Sequence, residues 1–304
     1  EISELLLTIG ISRISKYFYF IDKYLDGEDK FILTYAIMAA GRTLDASYVP
    51  KLLKLLKSEM HRQNCVESLT NFGEGLSEII LDLIESMKFE DGVNLHIPEI
   101  IEGFETKETG LVLIQLLGSK DQKVRHAAAK SLSLIEDKLF PFKVPKKMLN
   151  DFISKECEDL TNTLAQINAI ENALNDLGVD STTDAPVSEK SKLLELLIEH
   201  LNLNFHQGIE TVFYLLSLSY RNSDMEVAFM GVRDKSRESR TNAIEFLDNL
   251  LELKLKTKIL PLMEYHFLRT EETPAPFEFL QALSLYLDIT ELLVPQPIKV
   301  VGMT

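Results

Sequence analysis

Apolar residues recur three and four positions apart through most of the chain, in segments of about a dozen residues divided by short polar breaks. That period lets a helix bury one stripe and solvate the rest. From Glu28 onward the segments come in twos. "EDKFILTYAIMAAGRTL" leads into "SYVPKLLKLLKSEM", and "RQNCVESLTNFGEG" leads into "LSEIILDLIESMKF". The pattern predicts helix pair following helix pair.

Placing Gly41 over Gly73, 32 residues on, aligns Ile37 with Leu69 and Ala36 with Ser68. Small residues at aligned positions let helix axes approach closely. A period of this length is the mark of a repeat array. A further copy reads "DQKVRHAAAKSL". It predicts Asp121 as the N-cap, Val124 pointing inward, Ala128 at a close helix contact and Leu132 in the core.

Arg125 recurs with the same offsets in "SRESRTNAIEFLDNLL", where Arg240, Ala243 and Leu247 match Arg125, Ala128 and Leu132. An arginine in the first turn carries a planar fork of donors suited to an acidic side chain or to open carbonyls. Arg125 is therefore expected to tie one repeat to the next. In the two earlier copies Leu33 and Cys65 take the arginine's place.

The Val-Arg then Ala-Ala pattern resembles the HEAT-repeat family, built of stacked antiparallel helix pairs. The fold expected on that resemblance is all-α, an α-solenoid of stacked antiparallel HEAT-type helix pairs. Over residues 97–264 a narrower likeness holds, through "IPEIIEGFETKETGLVLIQLLGSKDQKVRHAAAKSL", "IETVFYLLSLSY" and "RTNAIEFLDNLLELKLKTKILPLME". These look like the soluble HEAT region of large bacterial membrane proteins that resemble ATP:ADP antiporters or major-facilitator transporters. The resemblance implies a module attached to a transmembrane block, with any transport belonging to that block.

The expected organisation is an N-terminal helical cap or linker over residues 1–27 and a HEAT-repeat solenoid over 28–304. A polar loop is expected near residues 177–192, where "LGVDSTTDAPVSEKSK" collects Ser, Thr, Asp and Pro. The stretch before it, "KMLNDFISKECEDLTNTLAQINAIENALNDL", reads as one extended helix or two. Thr273 before Pro274 is a candidate helix start, and "VPQPIKVVGMT" reads as an ordered edge or linker stub. The chain opens at Glu1 without a methionine, as an excised piece of a longer polypeptide does.

Composition narrows the function classes. The 304 residues are 45% hydrophobic and 26% charged, which suits a folded chain and not a disordered one. A net charge of −15 repels phosphate backbones, so nucleic acid is not an expected partner. Cys65 and Cys157 are the only cysteines, which leaves neither a disulfide framework nor a zinc ribbon. No apolar run approaches the roughly 20 residues a membrane span needs. The expected location is cytoplasmic, or, on the resemblance, the soluble part of an inner-membrane protein.

Motifs for catalysis are weak. Gly118 in "LGSKD" lacks the partners of a P-loop, and "FGEGLSE" falls short of a dinucleotide fingerprint. Gly73 and Gly75 read as a helix end. The six histidines are scattered; His61 and Cys65 share a helical face, but two ligands alone do not make a metal site. Deoxyhypusine hydroxylase, a HEAT-type enzyme, holds two irons through His-Glu dipeptides, and none occurs here. The HEAT-like alkylpurine DNA glycosylases hold DNA on a basic, aromatic surface, whereas this chain is acidic and has no tryptophan. Acids beside Cys157 in "SKECEDL" oppose a thiolate. No catalytic, cofactor or metal residue is assigned.

One local exception to the acidic balance is "VRDKSRESR", with Arg233, Lys235, Arg237 and Arg240 as candidate partner-binding residues. Asp234 and Glu238 dilute it, and inter-repeat ties are the alternative use for such arginines. The densest aromatic stretch is "KYFYFIDKYL". Tyr17, Phe20 and Tyr24 share a face there, expected either to pack in the core or to dock on a preceding domain. The function expected is a non-catalytic scaffold or regulatory domain that binds a protein or the membrane portion of its own transporter-like polypeptide, with no small-molecule substrate. A HEAT-type enzyme such as a bilin lyase is the alternative.

Overall fold

Short N-terminal caps start the helices where the sequence places them. Asp29 accepts hydrogen bonds from Phe31 N at 2.9 Å and Ile32 N at 3.0 Å, and Asp121 accepts from Lys123 N at 2.9 Å. Each satisfies an amide that has no partner inside the first turn. The computed structural model describes residues 1–86, 94–135, 143–176 and 189–269. Among them are fourteen α-helices and no strand.

The chain divides into two units at Val144 and Pro145. The first contains α1 (Ile2–Ser12), α2 (Phe18–Leu25), α3 (Lys30–Thr43), α4 (Val49–Leu55), α5 (Arg62–Thr70), α6 (Gly75–Glu85), α7 (Ile97–Ile101), α8 (Lys107–Leu117) and α9 (Gln122–Ile135). Alternate helices are neighbours here: α1 packs on α3, α3 on α5, α5 on α7 and α7 on α9. The intervening helices lie against them, α2 on α3, α4 on α5 and α8 on α9, while α6 packs on α8. Residues 1–27 thus belong to the first unit, since α1 and α2 both pack on α3.

The approach of α3 to α5 is set by Gly41 and Ser68. A Cβ at Gly41 would fall 2.6 Å from Ser68 Cα, and Ser68 Oγ donates to Ile37 O at 3.1 Å. The aligned residues Ala36, Ile37, Ser68 and Leu69 are all buried. Gly41 and Gly73 are not equivalent, however. Gly41 lies inside α3, whereas Gly73 stands in the turn between α5 and α6 at φ 64°.

The second unit contains α10 (Lys146–Asp176), α11 (Glu189–Ser217), α12 (Asn222–Arg233), α13 (Arg237–Leu250) and α14 (Leu253–Arg269). The stretch left open between one helix and two is a single helix of 31 residues. Each helix packs on the next, and α14 returns to α10. Lys258 Nζ donates to Glu158 at 3.0 Å, Tyr265 OH donates to Asn168 Oδ1 at 3.3 Å, and Lys146 pairs with Glu252. Because α11 begins at Glu189, the last four residues of the loop expected over 177–192 are helical. The rest of that loop, the helix start at Thr273 and the final "VPQPIKVVGMT" lie outside the described residues.

Candidate functional site

The basic cluster is built by the turn between α12 and α13. Arg233 ends α12, and Ser236 caps α13 by accepting from Ser239 N at 3.4 Å. Asp234 Oδ1 accepts from Ser236 N at 2.7 Å, which holds the three-residue turn shut. Arg233, Lys235 and Arg237 are exposed. Arg233 lies over the Phe229 ring, its guanidinium carbon 5.1 Å from the centroid. Its charge also reaches Tyr214, where it opposes a rise otherwise driven by burial and by Glu210; the net result is a phenol pushed up to about 12.

Arg240 does not share that surface. It is 3% exposed, and its Nη1 donates to Asp234 O at 3.2 Å. Its position in the first turn of α13 points the side chain back under the turn, so it is removed from the partner-binding set. Arg125 has the same arrangement at α9: it is buried, and its Nη1 donates to Ser119 O at 3.1 Å and Lys120 O at 3.0 Å. Both arginines close the turn of their own helix pair. These particular bonds lie within the helix pair, where the spacing alone suggested a tie to the next repeat. Val124, Ala128 and Leu132 are buried as expected, and so are Ala243 and Leu247.

The aromatic stretch departs from expectation. On α2 the buried positions are Ile21 and Leu25, while Tyr17 and Tyr19 are exposed and Phe20 and Tyr24 half-buried. Phe18 turns inward instead, its ring centroid 5.9 Å from that of Tyr48, whose OH donates to Phe18 O at 3.2 Å. The face of Tyr17, Phe20 and Tyr24 is therefore not core. Helical spacing showed that they share a side but not which side.

His61 and Cys65 are both buried, and the His61 ring faces the Thr34 hydroxyl at 3.3 Å from Nδ1. Among the described residues no group of three or more His, Cys, Asp or Glu side chains converges. Burial pushes the Cys65 thiol up to about 12. It does the same to Cys157, where Glu156 and Glu158 add to the rise and Lys258 opposes it.

Sequence reasoning missed two surface features. The ends of α1, α3 and α5 border an open cleft lined by Arg13, Arg42, Glu67 and Asn71, with Ile11 and Met38 beside them. Its borders include Arg13 at φ 52° and Leu44 at φ 57°, left-handed positions that neither side chain favours and no pattern announces. The second feature is a row of exposed leucines on α11. Among the described residues no helix is long and apolar enough to cross a membrane. Comparison with protein-family models and with curated proteins finds no match.

Proposed function

We propose that the chain is a non-catalytic HEAT-type α-solenoid, a scaffold or regulatory module. Its partner is another protein or the membrane portion of its own transporter-like polypeptide. The observation that carries this reading is the pair Arg125 and Arg240. In two separate units a buried arginine reaches the carbonyl six residues before it, with a buried alanine three residues on and a buried leucine seven on. Two copies of one detailed local device support descent of both hairpins from a single repeated unit. The neighbour order of the first unit, in which alternate helices touch, fits the same reading. The long α10 and α11 depart from the length of repeat helices and separate the two copies.

Stacked helix pairs present more continuous surface than a globule of equal mass, and such arrays bind through that surface. An acidic chain favours basic partner segments through charge complementarity. Arg233, Lys235 and Arg237 provide the exception, a site for an acidic segment.

The test is capture from a lysate and a detergent extract of the source organism's membranes. Wild-type bait is compared with Arg233→Glu/Arg237→Glu bait by quantitative mass spectrometry. Both substitutions are on exposed positions, so the variant is expected to keep the wild-type melting temperature. A partner reduced at least ten-fold on the folded variant supports the assignment of this turn. Identical capture profiles remove it, and the absence of any captured protein from both fractions counts against the scaffold reading itself.

A further inference from the structure

Three helices of the first unit end at one place. α1, α3 and α5 bring their C-terminal turns to a cleft of about 580 Å³, within the size range of ligand clefts. Two cations line it. Arg13 is exposed, and its Nε donates to Arg42 O at 3.1 Å, which anchors the guanidinium and leaves both Nη groups without a partner among the described residues. Arg42 is half-buried, and its own guanidinium makes no hydrogen bond or ion pair among the described residues. The acid on the same lining, Glu67, accepts instead from Gln63 Nε2 at 3.2 Å. In a chain of net charge −15, two guanidiniums on one cleft with no carboxylate between them are a local reversal of sign.

The backbone points the same way. Arg13 and Leu44 are the two non-glycine residues of positive φ among those described, at 52° and 57°, and both line this cleft. Glycine takes that conformation after a helix without strain. These positions hold a cation and an apolar side chain in its place, a strained choice of the kind that collects where side chains are kept for contact. Leu44 and Ile11 are 39 and 65% exposed, so apolar edges flank the two cations.

These features select a ligand. A guanidinium fork matches a carboxylate or a phosphate. Helix C-termini carry partial negative charge, and Glu67 adds a full one, so a free phosphate dianion is repelled by the same cleft. A peptide answers each feature at once. Its carboxylate side chain meets the arginines, its N–H groups face the open carbonyls of the helix ends, and its apolar neighbours lie on Ile11 and Leu44.

We propose that this cleft binds an extended acidic segment of a partner protein, a Glu or Asp between apolar residues, with Arg13 and Arg42 holding the carboxylate. The site is separate from the turn of Arg233, Lys235 and Arg237 and does not depend on it.

The test titrates the full chain into a dye-labelled pool of octapeptides with Glu at the centre and Leu, Ile or Val on both sides, read by fluorescence anisotropy. A matched pool with Gln at the centre is the comparison. Arg42→Gln is expected to keep the wild-type melting temperature, because that side chain makes no bond within the fold. Wild type is expected to bind the Glu pool at least ten-fold more tightly than Arg42→Gln does, and at least ten-fold more tightly than it binds the Gln pool. Glu67→Gln is expected to tighten binding by lifting a repulsion. Equal binding by wild type and Arg42→Gln, or no binding of the Glu pool, overturns the proposal. Displacement of the pool by micromolar inorganic phosphate also overturns it, since the site is then one for a free anion. Binding lost only in Arg233→Glu/Arg237→Glu moves the peptide to that turn and rejects this cleft. Should Arg42→Gln melt lower, the side-chain Nε–H signal of Arg42 in wild type decides by NMR. A shift with the Glu pool and not the Gln pool supports the proposal, and no shift rejects it. Failure here leaves the capture experiment untouched, so the two readings fall separately.

Discussion

Gly41 lies so close to Ser68 that a side chain on either side of the contact has to be the smaller one: a Cβ at Gly41 would meet Ser68 Cβ at 2.5 Å and its Cα at 2.6 Å. The obstacle is backbone and Cβ, neither of which can swing aside. Gly41→Ala is therefore expected to destabilise by about 1–3 kcal/mol as α3 and α5 are forced apart. Gly75→Ala is the control, because nothing stands within 4 Å of its Cβ position on α6. Exchanging glycine for alanine there removes unfolded-state freedom and is expected to stabilise by about 0.4–1 kcal/mol. Urea unfolding of both variants measures the contrast.

The turn-closing arginines predict a graded response. Replacing Arg125 or Arg240 by Met keeps much of the buried stem but leaves the turn carbonyls at Ser119, Lys120 and Asp234 without that donor. Bonds from a charged donor are worth about 1.5–3 kcal/mol, so each Met variant is expected to lose roughly that much. Lysine restores charge but not the planar fork, and Arg125→Lys is expected to fall between wild type and Met. Thermal melts decide; an unchanged melting temperature for Arg125→Met rejects the structural role.

How far these features were legible depends on what fixes them. Asp121 as N-cap and Val124, Ala128 and Leu132 as core follow from local rules of capping and periodicity, and the structure places them so. The direction in which Arg125 reaches does not follow, since turn carbonyls and neighbouring helices both lie within range of one long side chain. On α2 the period shows two candidate faces, and packing on α3 selects Ile21 and Leu25 over Tyr17 and Tyr24. Among the candidate binding residues, spacing grouped four cations, while the turn geometry buries Arg240 and leaves three outside. The Arg13 and Arg42 cleft joins residues from separate helices, which no local pattern brings together.

His96 makes the first unit sensitive to mild acid. Burial, reinforced by the charge of Arg62, holds its imidazole below the ordinary value, and Glu99 only partly offsets this. The folded state thus binds the proton less readily than the unfolded chain, whose histidine titrates near ~6.5. Stability from this residue is fully present above that pH and is lost as pH falls through the window below it. Melting temperatures of wild type are expected to decline between about pH 7 and pH 5 more steeply than those of His96→Asn. Parallel curves for the two proteins would exclude His96 as the cause.

At the alkaline end the two cysteines act in the opposite sense. Cys65 is 0% and Cys157 2% exposed, and burial is the leading cause that pushes both thiols up to about 12. Acids flanking Cys157 in the sequence add only a lesser part. A raised thiol means the folded state keeps its proton longer than the unfolded chain, where a cysteine ionises near ~8.5. The stability is complete below that pH and drains away as pH climbs towards the folded value. Tyr214, also pushed up to about 12, contributes to the same flank, but its unfolded reference is near ~10, so its share begins later. The double variant Cys65→Ala/Cys157→Ala is therefore expected to flatten the loss between about pH 8.5 and 10 while keeping the later fall. With wild type at pH 8, a thiol-reactive dye is expected to label neither residue within minutes and both once guanidinium unfolds the chain. Rapid native labelling of either cysteine would show that its helix opens readily, and would remove burial as the source of its raised value.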